Sequence, residues 1–184
     1  PFMFSGRVEV LDRDKLAALK DAGGTRVGFG VEHGDQKFRS RVLRRRMTNK
    51  QILEVTQAAK EVGLQIKTLN MVGLPGETPE LHQETIRLNQ QIAPDVVGVT
   101  IFYPMPGTDL YDLSIQEGYM EEEKASLGET DTIFKKSILR MPQFKPEEIE
   151  KALKWFTFKV FWPYDKIKAV GYRVLYSSYG ELFL

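Results

Sequence analysis

Four mainly apolar segments alternate along the chain with segments whose apolar positions recur at helical spacing. Residues 5–10 alternate apolar and polar side chains, as a half-buried strand does, and the apolar runs at 26–31, 64–72 and 95–103 are typical of buried strands. Because strands that alternate with helices imply right-handed crossovers, the pattern predicts a parallel sheet covered by helices, an α/β fold.

The predicted helices have recognisable beginnings and ends. Ser, Thr, Asp or Asn favours a helix start, proline suits the first helical position, and glycine favours the end. The helices are expected from Leu11 and Asp12 to Gly23, from Thr48 to Gly63, and from Pro79 to Pro94.

The alternation stops after Gly118. Residues 120–144 are polar and rich in turn-forming residues, and two helical segments follow that begin near Pro146 and Pro163. The expected division is therefore a strand-and-helix domain over 1–119 and a helical C-terminal extension over 120–184.

The first helix of this extension is unusually aromatic. Trp155, Phe156, Phe158, Phe161 and Trp162 cover more of its circumference than a single apolar stripe requires. Either some of them pack on a further domain or a substrate, or the two tail helices bury them internally, which is the slightly favoured interpretation.

Composition narrows the function classes. The 184 residues are 42% hydrophobic and 28% charged, as in ordinary folded domains, and the net charge of +1 provides no overall attraction to nucleic acid or an anionic membrane. The chain has no cysteine, no export signal and no apolar stretch long enough to cross a bilayer, so we expect a cytoplasmic protein.

Three unusual segments follow predicted strands. They are FGVEHGDQ at 29–36, NMVGLPGET at 70–78 and IFYPMPGT at 101–108. In parallel α/β sheets the loops at the carboxyl ends of the strands gather substrates and cofactors, so the three segments indicate one shared site.

Together, these motifs and their spacing resemble the radical SAM superfamily, particularly the group whose members often carry an N-terminal cobalamin-binding domain. The resemblance covers about residues 1–120. It implies a partial TIM-like (β/α) barrel arc in which the four strands correspond to the third through sixth. It also implies S-adenosylmethionine and a [4Fe-4S] cluster as cofactors, with cobalamin where that domain is present.

The family holds its cluster on three cysteines spaced CxxxCxxC, and this chain has none. We therefore expect a fragment of a longer oxidoreductase or transferase, inactive alone, whose partner is the missing N-terminal part of the same protein. By the resemblance, the full-length enzyme would cleave S-adenosylmethionine reductively and start radical chemistry on an unidentified substrate.

Charged residues after the second strand suit the cofactor. Glu32 matches a family position that faces S-adenosylmethionine, and a carboxylate suits a ribose diol or an ammonium group. Among the arginines of 41–46, Arg45 best matches the family's ligand for the methionine carboxylate, and Arg44 fits nearly as well. The alternative is that Glu32 forms a structural ion pair with a nearby arginine.

The VGLPGE segment is the most specific motif. Gly73 and Gly76 allow close approach of an adenine, while Glu77 suits the N-terminus of the next helix and could anchor the loop. The resemblance implies further adenosyl contacts from Asn70, as a ribose partner, and from Met71 and Val72.

Two aromatic residues lie near the start of the third motif. Phe102 and Tyr103 could flank adenine or substrate, although an aromatic residue at the end of a buried strand is more often part of the core. We expect Glu32, Gly73, Gly76 and Tyr103 to surround one cavity. His33 and His82 lie in different units and have no metal-ligand spacing.

Two other functions use the same features. One is a cluster-free, non-catalytic module that binds a nucleoside-like ligand or a protein partner. The other, a phosphate-binding barrel that uses GLPGET, is disfavoured because Glu77 would repel phosphate. Finally, an unpaired edge at 5–10 would recruit a second copy, forming a homodimer, unless the tail folds over it.

Overall fold

The computed structural model of the chain describes residues 1–121 and 136–178. Its centre is a parallel four-stranded sheet in which each strand pairs with the next one along the chain. The strands are β1 (Phe2–Gly6), β2 (Gly24–Glu32), β3 (Gln65–Val72) and β4 (Val96–Ile101). This order confirms the predicted α/β fold of four parallel strands.

Seven helices follow or connect the strands within the described ranges. They are α1 (Arg13–Asp21), α2 (Gln36–Val42), α3 (Asn49–Glu61), α4 (Pro79–Ile92), α5 (Asp109–Gln116), α6 (Pro146–Phe161) and α7 (Lys166–Ser178). Thr48 and Thr78 cap α3 and α4 with their side chains, and Pro79 is the first residue of α4, as predicted. Such a cap stabilises a helix by about 1 kcal/mol.

The two faces of the sheet differ in burial. Val27, Phe29 and Ile66 point to one face, where they are fully buried in a core shared with α1 and α3. Gln65 and Leu69, which alternate with the buried residues of β3, point to the other face and are exposed. We call this second surface the open face, because it is where the sheet is accessible.

The tail helices pack against the β4 end of the sheet. Phe156, Val160 and Phe161 of α6 form a buried cluster with Val97 of β4 and Ile86 of α4. Two of the five aromatic residues singled out in this part of the sequence, Phe156 and Phe161, are therefore core residues. Buried clusters contain residues from both sides of residue 119. The domain division at that residue stays a prediction.

The structure corrects the position of the first strand. β1 spans Phe2–Gly6 rather than 5–10, because Val10 N donates to Arg7 O and closes a turn after the strand. Val8 is buried in the core from this turn, whereas Val10 is 57% exposed. The apolar alternation of 5–10 therefore arises from Val8, a turn residue that is buried in the core, and not from a strand.

Two short helices were not predicted. The helix α2 lies between the first motif and the basic cluster at 41–46, and α5 follows the third motif. With seven and eight residues, each is too short to show a helical period. Part of the predicted turn-rich region, 122–135, lies outside the described residues. None of the described helices combines the length and apolar character that a membrane span needs.

Candidate cofactor-binding site

An ion pair stands at the carboxyl end of β2. Arg45 Nη1 donates to Glu32 Oε1 at 2.8 Å. Both side chains lie over Gly30, where a Cβ atom would collide with the carboxylate and lie 3.0 Å from Arg45 Nη1. Gly30 points away from the buried face, so the pair is on the open face of the sheet. The glycine provides the space that this charged pair occupies.

A break in strand register orients Glu32. Gly30 pairs with Leu69 and Glu32 with Asn70, so one residue of β2 is extra, and Glu32 adopts a left-handed φ of 64°. Burial raises the pKa of the Glu32 carboxyl, while the Arg45 guanidinium opposes that rise. The side chains keep 18% and 29% of their surface exposed, so a ligand can reach both charges.

The two candidate arginines are placed apart. Arg44 has a left-handed φ of 51° and its Nη1 lies 2.6 Å from Asp109 Oδ2, with both side chains mostly exposed. Only Arg45 reaches Glu32. The structure therefore separates two residues that the sequence pattern left nearly equivalent.

A buried arginine that sequence analysis missed supports this site. Arg39 of α2 is fully buried and donates to the His33 carbonyl, to Met47 O at 2.7 Å and to Asn49 Oδ1 at 2.8 Å. Burial lowers its pKa to about 10. Because these acceptors flank Glu32 on one segment and Arg45 on another, Arg39 holds together the two backbones that present the ion pair.

The carboxylate of Glu77 is bound by backbone amides inside the protein. Glu77 is fully buried, and its Oε2 accepts from Gly73 N at 2.5 Å and from Leu74 N at 3.1 Å. The anchoring role foreseen for this residue is thus present in the structure. Since the carboxylate already occupies these two amides, they are not available to a phosphate, which further disfavours a phosphate-binding loop.

Both histidines lie beside this buried carboxylate. His33 Nε2 is 3.3 Å and His82 Nδ1 is 3.8 Å from Glu77 Oε1. His33 Nδ1 accepts a hydrogen bond from Asp35 N at 3.1 Å, which leaves Nε2 facing Glu77. His33 thereby links the loop after β2 to the loop after β3.

His82 is buried beside aromatic rings and has a perturbed pKa. Its ring packs between the rings of Phe144 and Phe156, at centroid distances of 6.1 and 5.6 Å. Burial, with smaller contributions from Lys159 and His33, lowers the pKa of His82 to about 4. Across the part of the chain that the structure covers, no group of three or more His, Asp or Glu residues is arranged to hold a metal ion.

The two glycines of the VGLPGE loop have different surroundings. A Cβ on Gly73 would lie 2.9 Å from Ile149 Cγ2 of α6, whereas a Cβ on Gly76 would have no atom within 4 Å. Gly73 therefore packs closely against α6, and its φ of 80° also favours glycine. The expectation that it borders one cavity with Glu32, Gly76 and Tyr103 stays a prediction.

Gly76 lines a cavity of about 600 Å³. Arg44, the neighbour of Arg45 in sequence, also lines it, but Glu32 and Arg45 do not. Arg41, Arg44, Asp109 and Asp112 contribute most of its charge. Glu32 and Tyr103 are not among the lining residues, so this cavity is not the one expected.

Several predicted adenosyl contacts are interior residues. The Asn70 side chain is buried, accepting from Asn89 Nδ2 at 2.7 Å and donating to Gly98 O at 3.0 Å. Val72 and Phe102 belong to a buried apolar cluster. The side chains of Asn70 and Phe102 thus have partners inside the protein, while Met71 and Tyr103 are partly exposed. The adenosyl contacts of these residues stay predictions.

Comparison with known proteins places this geometry in a family. The sequence profile of the Radical SAM superfamily matches residues 5–88, which include the end of β1, all of β2 and β3, and the Glu32–Arg45 pair. This match supports the predicted resemblance to the radical SAM superfamily. The cofactors of this superfamily are S-adenosylmethionine and a [4Fe-4S] cluster, in agreement with those predicted for the full-length protein. The cluster needs thiolates, and a chain without cysteine provides none of them.

Relatives found by sequence are transferases by name. An uncharacterised methyltransferase of Pyrococcus horikoshii is 26% identical over 82% of this chain and 32% of its own length. The ribosomal protein uS12 methylthiotransferase RimO of Protochlamydia amoebophila is 37% identical over 56% of this chain and 22% of its own length. The chain thus spans about a third or less of these relatives.

Solved structures share the fold at low sequence identity. Coproporphyrinogen III oxidase (HemN) from Escherichia coli, a radical SAM enzyme, has a TM-score of 0.58 at 19% identity, covering 81% of this chain and 30% of that one. Elp3 from the archaeon Methanocaldococcus infernus has a TM-score of 0.61 at 20% identity, covering 85% and 32%. These similarities confirm the partial-barrel fold of the radical SAM superfamily for the four-stranded sheet.

Proposed function

We propose that this chain forms part of the S-adenosylmethionine-binding wall of a radical SAM enzyme, and that Glu32 and Arg45 bind the amino-acid end of the cofactor. The observation that carries the proposal is the position of their ion pair on the open face at the end of β2. The loops of parallel sheets bind ligands at this edge.

The chemistry of the pair matches a zwitterion. The α-ammonium group of S-adenosylmethionine is a hydrogen-bond donor that suits the Glu32 carboxylate, and its α-carboxylate suits the guanidinium of Arg45. The two protein charges neutralise each other before the ligand binds, so neither remains unpaired in a half-buried site. On binding, each charge exchanges its protein partner for a ligand partner or shares it.

The reaction of the whole protein is proposed from its relatives. Those that match in sequence are named methyltransferase and methylthiotransferase, so we favour group transfer over oxidoreduction. When bound, the cluster of such an enzyme supplies the electron for reductive cleavage of the cofactor. Residues outside this chain would hold that cluster and any cobalamin, and the chain alone would be inactive.

Partners and location are part of the same proposal. The outer edge of β1 would pair with the remaining part of the enzyme, or with a second copy when that part is absent. Met3 of this strand is 69% exposed, as expected of such an edge. We propose a cytoplasmic protein, since the family's cluster chemistry suits a reducing compartment.

Two ligand fragments test the amino-acid clamp. S-adenosylhomocysteine retains the amino-acid end and methylthioadenosine lacks it, so calorimetric titration of both separates the clamp from the nucleoside contacts. We expect Arg45→Gln and Glu32→Gln to weaken S-adenosylhomocysteine binding at least tenfold, given about 1.5–3 kcal/mol for a charged hydrogen bond. Methylthioadenosine binding should not change.

Arg44→Gln is the matched control, because Arg44 contacts Asp109 and not Glu32. An equal loss of S-adenosylhomocysteine binding in Arg44→Gln and Arg45→Gln would contradict the assignment. So would unchanged binding of this ligand in Arg45→Gln.

A further inference from the structure

An exposed apolar surface lies at the end of the molecule remote from β1. Ile167, Val170 and Val174 of α7 are 89%, 49% and 54% exposed, and Trp162, at the end of α6, is 45% exposed. We call these four residues the tail patch. Exposed apolar residues scattered singly are ordinary, but these occur within thirteen residues of one another.

The tail patch lies on a second apolar side of α7. Positions 167, 170 and 174 repeat at helical spacing and share one side of the helix. The opposite side carries Ala169 and Tyr172, which pack into the core with α6. The core therefore accounts for one apolar side of α7 and leaves the other in contact with solvent.

Basic residues flank the tail patch. Lys166 Nζ lies 5.6 Å from the ring centroid of Trp162, and the Arg173 guanidinium lies 4.2 Å from that of Trp155. The rings of Trp155, Phe158 and Trp162 form a row along α6, with centroids 5.4 and 5.0 Å apart. The cations thus join the aromatic row of α6 to the apolar side of α7.

The local charge is very different from that of the whole chain. Residues 151–174 contain six basic side chains and one acidic side chain, although the chain as a whole has a net charge of only +1. The single acidic residue, Asp165, accepts from Lys168 N at the start of α7. The overall charge therefore conceals a strongly cationic segment that coincides with the tail patch.

We propose that the tail patch docks on the surface of an anionic lipid bilayer. Peripheral segments of this kind combine aliphatic side chains, which enter the boundary of the acyl chains, with tryptophans at the interface and lysines that reach the headgroups. A nucleic acid would use the cations and the aromatic rings. It would gain nothing from Ile167, Val170 and Val174, the most characteristic residues of the surface.

The tryptophans provide the assay. The chain has two, Trp155 and Trp162, and both belong to this region, so intrinsic fluorescence reports on it alone. We expect vesicles of phosphatidylcholine with 30% phosphatidylserine to shift the emission to the blue and to sediment with the protein. Pure phosphatidylcholine vesicles should bind at least tenfold more weakly, and salt should weaken binding to the anionic vesicles.

Substitutions separate the apolar contribution from the electrostatic one. Ile167→Ser should weaken binding to the anionic vesicles about fivefold or more without changing the charge. Replacing Lys166 and Arg173 by Gln should weaken it about tenfold or more. Val10→Ser, at a 57% exposed valine of the first turn, is the control and should bind like the wild-type chain.

Three results would overturn the proposal. One is equal binding to neutral and anionic vesicles. The second is a blue shift with RNA homopolymer that Ile167→Ser leaves unchanged, combined with no vesicle binding. The third is a dimer in sedimentation velocity that Ile167→Ser dissociates. The proposal is independent of the cofactor clamp, since none of these measurements uses S-adenosylmethionine or its analogues.

Discussion

Two glutamates at neighbouring strand ends have opposite surroundings. Glu32, after β2, lies on the open face, is partly exposed and pairs with Arg45. Glu77, in the loop after β3, is fully buried and bonds to the backbone of its own loop. Both are carboxylates in family-like motifs, yet only Glu32 keeps its charge where a ligand can reach it.

The difference indicates a structural role for Glu77 and a ligand-binding role for Glu32. The Glu77 carboxylate satisfies two buried amides and lies beside two histidines, so its loss would leave donors without acceptors. The Glu32 carboxylate has one partner and bears a desolvation cost, so it contributes little to folding. The comparison predicts large stability effects at Glu77 and binding effects at Glu32.

The largest expected effect is at the buried carboxylate. Glu77→Ala should lower the free energy of unfolding by about 3–5 kcal/mol, because two buried amides lose their acceptor. Denaturant titration followed by circular dichroism measures the change. Glu80→Ala, at an exposed glutamate in the first turn of α4, should cost less than about 1 kcal/mol. Similar losses in both variants would break the comparison.

The next effect is a pH dependence that arises from His82. The unfolded chain takes up a proton at this histidine near pH 6.5 and the folded chain only near pH 4. Stability from this residue is therefore present above about pH 6.5 and is lost as the pH falls toward 4, by about 3 kcal/mol in total.

Denaturant titrations at pH 7, 5.5 and 4.5 measure this dependence, and His82→Leu removes the titrating group. The variant should lose less stability than the wild-type chain over the same interval. An identical pH dependence in the two proteins would show that carboxylates alone cause the acid sensitivity.

A smaller effect is expected where Arg39 joins the two segments. Arg39→Lys cannot supply the three hydrogen bonds to separate acceptors and should cost about 2–3 kcal/mol. It should also weaken S-adenosylhomocysteine binding, because the backbones that carry Glu32 and Arg45 become less fixed. Arg41→Lys, on the exposed side of α2, provides the control. A stability loss with unchanged affinity would limit Arg39 to a folding role.

The smallest stability effect should be at Glu32. Burial raises its pKa in the folded state, so the ionised carboxyl favours the unfolded chain, and this cost grows as the pH rises through that pKa. Glu32→Gln should therefore change stability at pH 7 by less than about 1 kcal/mol while weakening the binding of S-adenosylhomocysteine.

The pH dependence of S-adenosylhomocysteine binding also distinguishes Glu32 from Glu77. Binding should weaken as Glu32 is protonated, at a pH above that of an ordinary glutamate. Titration of binding in the wild-type chain and in Glu32→Gln would show it. A loss of several kcal/mol in the stability of Glu32→Gln would mean that Glu32 is as structural as Glu77.

The sequence was sufficient for the repeated elements of the fold. The strands β2, β3 and β4 are apolar enough to be found within two residues, and Thr48 and Pro79 mark helix starts through local chemistry. The first strand was misplaced because Val8 is buried from a turn. Local patterns predict an element poorly when contacts with distant parts of the chain decide whether one of its residues is buried.

The site was less predictable, since its organisation depends on contacts between units. His33 and His82 are 49 positions apart and both lie beside Glu77, which no spacing rule relates to them. Arg39 looks like any other arginine in a basic stretch until the fold buries it. Gly73 packs against Ile149, a residue far along the chain, and no local pattern predicts that contact.

The strand order also bears on how the polypeptide acquires its structure during synthesis. Since each strand pairs with the strand that precedes it in sequence, no ladder has to wait for a segment made much later. Each newly emerged strand and helix could dock on the growing sheet, and the tail helices would close the last unit by covering β4. Such vectorial growth makes the sheet extendable one unit at a time, so a lineage could lengthen or shorten it without redesigning the strands already in place.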